Sequence, residues 1–301
     1  MVIPDFLKPN SRIRVVAPAG KVKRQFVSGS VAWLRSRGFE VVVGNHVFDV
    51  FNQFAGRDDD RRADLQDALD DPNATVIICA RGGYGTARLI DRLDFSHFLE
   101  NPKWLAGFSD ITVLHNRLNN LGVASIHGAM LRHFNSRNGE VPEKIRSLFF
   151  LLEGGKPEYH AKYHKFNREG RTKAELAGGN LSIIYSLRGT PVDLKTNGKI
   201  LFLEEVGEYL YHTDRMLRNL KLGGKLANLA GLVVGEFSKM KDNDSPYGKE
   251  AYEIIAEAVQ EYDYPVCFGF PAGHGRKNLA LAFGRQWELA VGPGEVTLRM
   301  A

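Results

Sequence analysis

Three stretches carry side chains whose types and spacing could do chemistry. The first is Trp104-Leu105-Ala106-Gly107-Phe108-Ser109-Asp110-Ile111, an apolar run ending in a Gly-x-Ser-Asp step before a helical pattern. A serine on a sharp strand-to-helix turn is lifted out of the backbone, so its Oγ can meet a base and a carbonyl carbon. The same turn aims the next backbone N–H groups, beginning with that of Asp110, at the point where an oxyanion would form. Position 111 is Ile where the hydrolase elbow has its second glycine. The competing reading is that Ser109 or Asp110 caps the helix that follows.

The second stretch is Arg81-Gly82-Gly83-Tyr84-Gly85-Thr86-Ala87-Arg88, directly after an apolar strand. Glycines there let backbone N–H groups approach a ligand closely. Arg88 stands where a dinucleotide fingerprint has its third glycine, and the lysine-serine end of a P-loop is absent, so no nucleotide cofactor is expected. The loop either packs tightly on the sheet or supplies an oxyanion donor. In the third stretch, Pro265 to Asn278, His274 sits between Gly273 and Gly275 just past an apolar strand. It has little steric cover, and an imidazole near its ordinary pKa of about 6.5 suits general-base work at neutral pH.

The elements that must hold these groups alternate. Strand patterns at Arg12–Gly20, Gly38–Gly44, Ala74–Ala80, Leu105–Phe108 and Val123–Gly128 enclose helical patterns at Val27–Arg37, Asp58–Leu69 and Ile111–Leu121. The apolar side of Asp58–Leu69 is read as Ala63, Leu65, Ala68 and Leu69. This alternation predicts an α/β protein with an open, mostly parallel sheet flanked by helices. Ligands of such sheets sit beyond the carboxyl ends of the strands, where Arg81, Gly82, Gly83, Ser109 and His127 all fall. Residues 137–173 turn polar and irregular, apart from a helix at Ile145–Leu152, and are read as a linker. The domains expected are therefore 1–136, carrying Ser109, and a smaller C-terminal α/β or β-rich domain, 174–301. In the latter, Ala177–Tyr185 reads as a turn into a helix capped by Asn180, and Ile200–Glu208 as a strand stopping at acids. Further helices are expected at His212–Leu222 and Ala251–Val259, with a strand at Ala230–Phe237.

Composition narrows the class. The chain has 301 residues, 44% hydrophobic and 25% charged, as soluble globular proteins have. No secretory signal or membrane-length apolar run is seen, which points to the cytoplasm. Cys79 and Cys267 read as buried reduced thiols, and with no H-E-x-x-H pair no metal site is expected. The net charge is +5, but the basic residues are scattered among acids, so the expected partner is an anionic small ligand and not nucleic acid.

With Ser109, Glu204 and His274 in view, the chain resembles the LD-carboxypeptidase family of serine peptidases, which includes murein tetrapeptide carboxypeptidases and microcin-immunity proteins. The motifs that carry the resemblance are Val15-Val16-Ala17-Pro18, Arg81-Gly82-Gly83-Tyr84-Gly85, Gly107-Phe108-Ser109-Asp110, His127-Gly128, Gly178-Gly179-Asn180-Leu181-Ser182, Leu203-Glu204-Glu205-Val206-Gly207-Glu208 with Asp214-Arg215, and Gly273-His274-Gly275. The resemblance implies a nucleophile at Ser109, a general base at His274 and an orienting acid at Glu204, with Glu205 and Glu208 as rivals. Strand alternation sends Glu204 and Glu205 to opposite faces, so one of the two can serve. The oxyanion would be held by the Asp110 N–H with one from Gly82 or Gly83. Arg81 would either meet the substrate carboxylate or make a structural ion pair. The family further implies a murein tetrapeptide substrate, release of terminal D-Ala, no metal or cofactor, no membrane partner, and a homodimer. Ala129 where the family often has Pro, and the run Tyr209–Thr213, depart from the pattern and bear on substrate preference. Two other readings stay open: a microcin-immunity-type peptidase cleaving a peptidyl-aminoacyl nucleotide, and a non-catalytic small-ligand binder.

Overall fold

A computed structural model describes residues 1–134 and 141–301 of the chain. It divides into two units, Met1–Gly155 with Leu279–Ala282, and Lys156–Asn278 with Phe283–Ala301.

The first unit holds strands β1 (Arg12–Val16), β2 (Glu40–Val43), β3 (Ala74–Cys79), β4 (Trp104–Gly107) and β5 (Ser125–His127). Its helices are α1 (Arg24–Ser36), α2 (Asp58–Asp70), α3 (Ser96–Glu100), α4 (Thr112–Asn120) and α5 (Glu143–Leu152). β3 is almost wholly buried, as expected of a central parallel strand that reads as one apolar run. α1 buries Val27, Val31 and Leu34, which recur at helical spacing. The buried stripe of α2 differs from its expected apolar side. Ala63 is exposed, and Arg61 and Asp64 join Leu65, Ala68 and Leu69. The 3.6-residue period puts Arg61 one turn before Leu65, and its guanidinium finds hydrogen-bond acceptors inside.

The second unit holds β6 (Glu158–Lys162), β7 (Gly170–Asn180), β8 (Ile200–Val206), β9 (Gly231–Ser238) and β10 (Val266–Cys267). Then come β11 (Leu281–Phe283), whose first residues belong to the first unit, β12 (Gln286–Val291) and β13 (Glu295–Met300). Its helices are α6 (Leu181–Ser186), α7 (Leu210–Leu222) and α8 (Ala251–Ala258). Leu203, Met216, Leu220, Leu232 and Ile255 belong to its core. Burying each such side chain is worth about 1.5–3 kcal/mol.

The sheet of the first unit has the order β11-β5-β4-β3-β1-β2, with β1 to β5 joined by parallel pairs. The order reverses between β1 and β3, where such sheets open a crevice beyond their carboxyl ends. The second sheet, β10-β9-β8-β7-β12-β13-β6, is parallel from β10 to β7 and antiparallel from β7 to β6. The chain is thus α/β in both units, with the mostly parallel sheet in the first.

The segment 137–173 needs a different description from the linker expected. Its boundary at 136/137 and residues 137–140 lie outside the described residues. Beyond them it contains α5, β6 and the start of β7. β6 buries only Ala161 fully, so its Lys and His residues hide the strand pattern. Gly178 and Gly179 likewise lie in β7, not in a turn. A Cβ at Gly178 would stand 1.9 Å from the Phe202 carbonyl oxygen, so glycine lets the two strands approach. Among the described residues no helix is long and apolar enough to cross a membrane.

Candidate active site

β4 delivers Ser109 at its carboxyl end in a left-handed conformation, φ 66°. A non-glycine residue held there stores roughly 1–3 kcal/mol. The capping alternative does not describe this turn: the N-cap positions before the 3-10 turn and before α4 are Phe108 and Ile111, whose side chains make no cap bond. The Gly82 backbone packs on the serine. A Cβ at position 82 would stand 3.0 Å from Ser109 Cβ and 3.3 Å from its Oγ. Gly82 also accepts a hydrogen bond from the Gly20 N–H at 3.1 Å, and Gly83 adopts φ 122°. Arg81 Nη1 donates to the Lys21 carbonyl at 2.5 Å.

Buried polar groups brace this turn. His115 of α4 lies 2.9 Å through Nε2 from the Gly107 carbonyl and 2.8 Å through Nδ1 from Ser125 Oγ. A carbonyl only accepts, so Nε2 carries the proton and the Ser125 hydroxyl donates to Nδ1. Burial pushes the His115 pKa down to about 4, so the ring is neutral at pH 7. Asp110 is buried, and its Oδ2 accepts from the Thr86 N–H at 2.9 Å. Burial raises its pKa, opposed by the Thr86 bonds and the charge of Arg61. Arg61 is fully buried and donates to the carbonyls of Pro18 and Gly85 and to Asp58. The loops after β1, β3 and β4 are thereby tied together around Ser109.

In the second unit, Glu204 Oε2 lies 2.6 Å from His274 Nδ1. The glutamate is fully buried and the imidazole 18% exposed. Glu205 is engaged elsewhere. Its carboxylate accepts from Asn180 Nδ2 and from the N–H groups of Ser182 and Val206, at 2.8–3.0 Å, and so anchors the start of α6. Opposite Glu204 the β8–β9 register slips, with Leu203 facing Val234 and Glu205 facing Phe237. The extra residue on β9 is a bulge at Gly235-Glu236, and bulges re-aim side chains. Glu236 reaches the histidine loop: a Cβ at Gly275 would fall on its carboxylate. A Cβ at Gly273 (φ 122°) would stand 2.9 Å from Glu204 Cβ. Asn278 closes the loop by accepting from the Gly273 N–H at 2.8 Å.

Burial disfavours the charged imidazole of His274, but the Glu204 hydrogen bond and charge, aided by Glu205 and Glu236, outweigh it and raise the pKa. Burial raises the Glu236 carboxyl as well, with the charge of Glu204 adding to it. An imidazole so held has Nδ1 engaged by an acid, which fixes its tautomer and favours its charged form, as a general base requires.

The structure therefore brings together Ser109, Asp110 and Gly82 in the first unit, with Arg81 and Gly83 beside them. In the second it pairs Glu204 with His274, and Glu205 faces away. Glu236 was missed, because an acid near the end of an apolar strand gives no sign of the bulge that turns it.

Sequence models of the LD-carboxypeptidase N-terminal domain and the LD-carboxypeptidase C-terminal domain match residues 13–128 and 173–289. A probable murein peptide carboxypeptidase of Bacillus subtilis is 32% identical over 288 residues, covering 93% of this chain and 89% of its own. A murein tetrapeptide carboxypeptidase of Pseudomonas aeruginosa is 30% identical over 288 residues, covering 92% of each chain. The crystal structure of a muramoyltetrapeptide carboxypeptidase from Oxalobacter formigenes superposes with a TM-score of 0.87 at 28% identity, covering 96% of this chain and 98% of that one.

Proposed function

The chain belongs to the LD-carboxypeptidase family and is a serine-type carboxypeptidase, and from that premise we propose that it cleaves the L,D-peptide bond of a murein tetrapeptide. The products are D-alanine and the tripeptide, and the setting is peptidoglycan recycling in the cytoplasm, by a homodimer as the family resemblance implies.

In this reading Ser109 is the nucleophile, His274 the general base and Glu204 the acid that orients it. Ser109 Oγ attacks the carbonyl carbon while its proton passes to His274. The oxyanion is held by the Asp110 N–H and one N–H of Gly82 or Gly83, each donor worth roughly 2.7–4 kcal/mol. The C–N bond then breaks, and His274 returns the proton to the leaving amine. Water, giving a proton to His274, attacks the acyl-enzyme ester, and collapse regenerates Ser109. These steps need no metal or cofactor.

The observation that carries the reading is the Glu204–His274 pair, a fully buried acid 2.6 Å behind a partly exposed imidazole. The strained Ser109 turn supports it, and the named relatives suggest the substrate class.

The test is release of free D-alanine from murein tetrapeptide, followed by mass spectrometry in chelator-treated buffer, with Ser109→Ala alongside. The expected result is release by the wild type alone. Release by both proteins would mean the nucleophile is another residue. Release by neither folded protein would remove the murein reading, and peptidyl-nucleotide amides would be tried next.

A further inference from the structure

Five cations, Lys21, Lys23, Arg24, Arg81 and Arg132, line one cavity of about 570 Å³ in the first unit, together with the rings of Phe26 and Phe48 and without any acid. Arg24 lies 4.0 Å over the Phe48 ring. Arg132 follows the end of β5, and its N–H donates to the Ala80 carbonyl at 3.2 Å, which sets it beside the start of the Arg81 loop. Burial and the charge of Arg81 both push the Arg132 pKa down, and burial and the charge of Arg132 do the same to nearby Lys144. Among the described residues none of the five makes an ion pair.

Like charges gathered around a partly apolar cavity repel one another, and an anionic ligand relieves that repulsion. Guanidinium groups match carboxylates and phosphates by two parallel hydrogen bonds, and of these a murein tetrapeptide brings carboxylates. The cavity is of a size, roughly 300–1,000 Å³, that holds ligands much larger than one alanine. Its location ties it to the reaction, because Arg81 directly precedes Gly82, the residue packed on Ser109.

We propose that this cavity binds the carboxylates of the part of the peptide that stays behind, with Arg81 and Arg132 receiving carboxylates and Lys21 and Lys23 at its rim. The leaving residue brings one carboxylate, and five cations around a cavity of this size call for more than one. The inference rests on the reading of the protein as a murein tetrapeptide carboxypeptidase.

The test is calorimetric binding to the Ser109→Ala protein of the tetrapeptide and of the same peptide with its side carboxyls converted to carboxamides. The carboxylated peptide is expected to bind roughly tenfold tighter or more, the worth of one hydrogen-bonded charged pair. That preference should shrink with added salt and in Arg132→Gln, with exposed Lys23→Gln as a second variant should the first not fold. Equal affinity for the two peptides, or a preference untouched by either variant, overturns the proposal. Release of D-alanine by the wild type is scored separately. Charge-selective binding without release keeps the cavity and removes the reaction, and release without charge preference does the reverse.

Discussion

Gly275 packs so closely on Glu236 that a Cβ at position 275 would stand 1.0 Å from Glu236 Oε2. Gly273 makes the same kind of room for Glu204. The two glycines that flank His274 thus admit one carboxylate each to the surroundings of a single imidazole. Gly275→Ala must move either Glu236 or the loop. A loop shifted by about 1 Å can cost on the order of 10²-fold in rate. Steady-state kinetics should therefore show kcat/KM reduced to that degree with the melting temperature little changed, and unchanged kinetics would remove Glu236 from this account.

The pH profile should carry the signature of the carboxylates. A base works deprotonated, so with the His274 pKa raised, kcat/KM should fall as pH drops through a midpoint above 6.5. Glu204→Gln removes the largest raising influences and leaves burial, which lowers the pKa, opposed by the weaker charges of Glu205 and Glu236. The acid limb should then move to lower pH while kcat falls on the order of 10⁴-fold, as when a triad acid is lost. A limb that stays in place would assign it to another group.

His115 should make stability, not only activity, depend on pH. Its folded pKa of about 4 lies below the ordinary 6.5. Between those values the unfolded chain binds a proton that the folded one does not, so stability rises with pH. The contribution is complete above pH 6.5 and is lost as pH falls toward 4, on the order of 3 kcal/mol in all. Denaturant unfolding of wild type and His115→Gln from pH 4 to 7 should show the two differing in slope across that window, and parallel curves would contradict it.

Arg61 and Asp110 should differ in their tolerance of change. Arg61→Leu removes three hydrogen bonds from a charged donor, leaving the Pro18 carbonyl without one while Arg88 still serves Gly85 and Asp58, at an expected loss of about 3 kcal/mol or more. Asp110→Asn keeps an oxygen for the Thr86 N–H and should be mild, whereas Asp110→Ala strands that donor at about 1–3 kcal/mol. Urea midpoints of the three variants test the order, and a mild Arg61→Leu would show that the loops do not depend on the guanidinium.

What could be read from the sequence follows from how local each signal is. Ser109 and His274 declare themselves through their immediate neighbours, an apolar run before one and glycines on both sides of the other. Glu204 against Glu205 is a question of which strand face meets the histidine loop, and only packing answers it. Glu236 depends on a one-residue slip between β8 and β9, which leaves no pattern in the chain. The cations of the cavity come from positions 21 to 132, so they read as scattered charge until the loops after β1, β3 and β5 are folded. β6 and β7 escaped for the opposite reason, since polar side chains on the open face of an antiparallel sheet dilute the alternation.

The return of the chain into the first sheet has a cost during synthesis. β11 flanks β5, yet it leaves the ribosome only after 281 − 127 = 154 further residues. At roughly 5–20 residues per second that is a delay on the order of 10–30 s. Through that interval the nascent chain displays a bare strand edge able to pair with another chain. A polypeptide broken off anywhere between Lys156 and Asn278 keeps that edge permanently, so such truncated products should be aggregation-prone even with every residue of β1 to β5 intact.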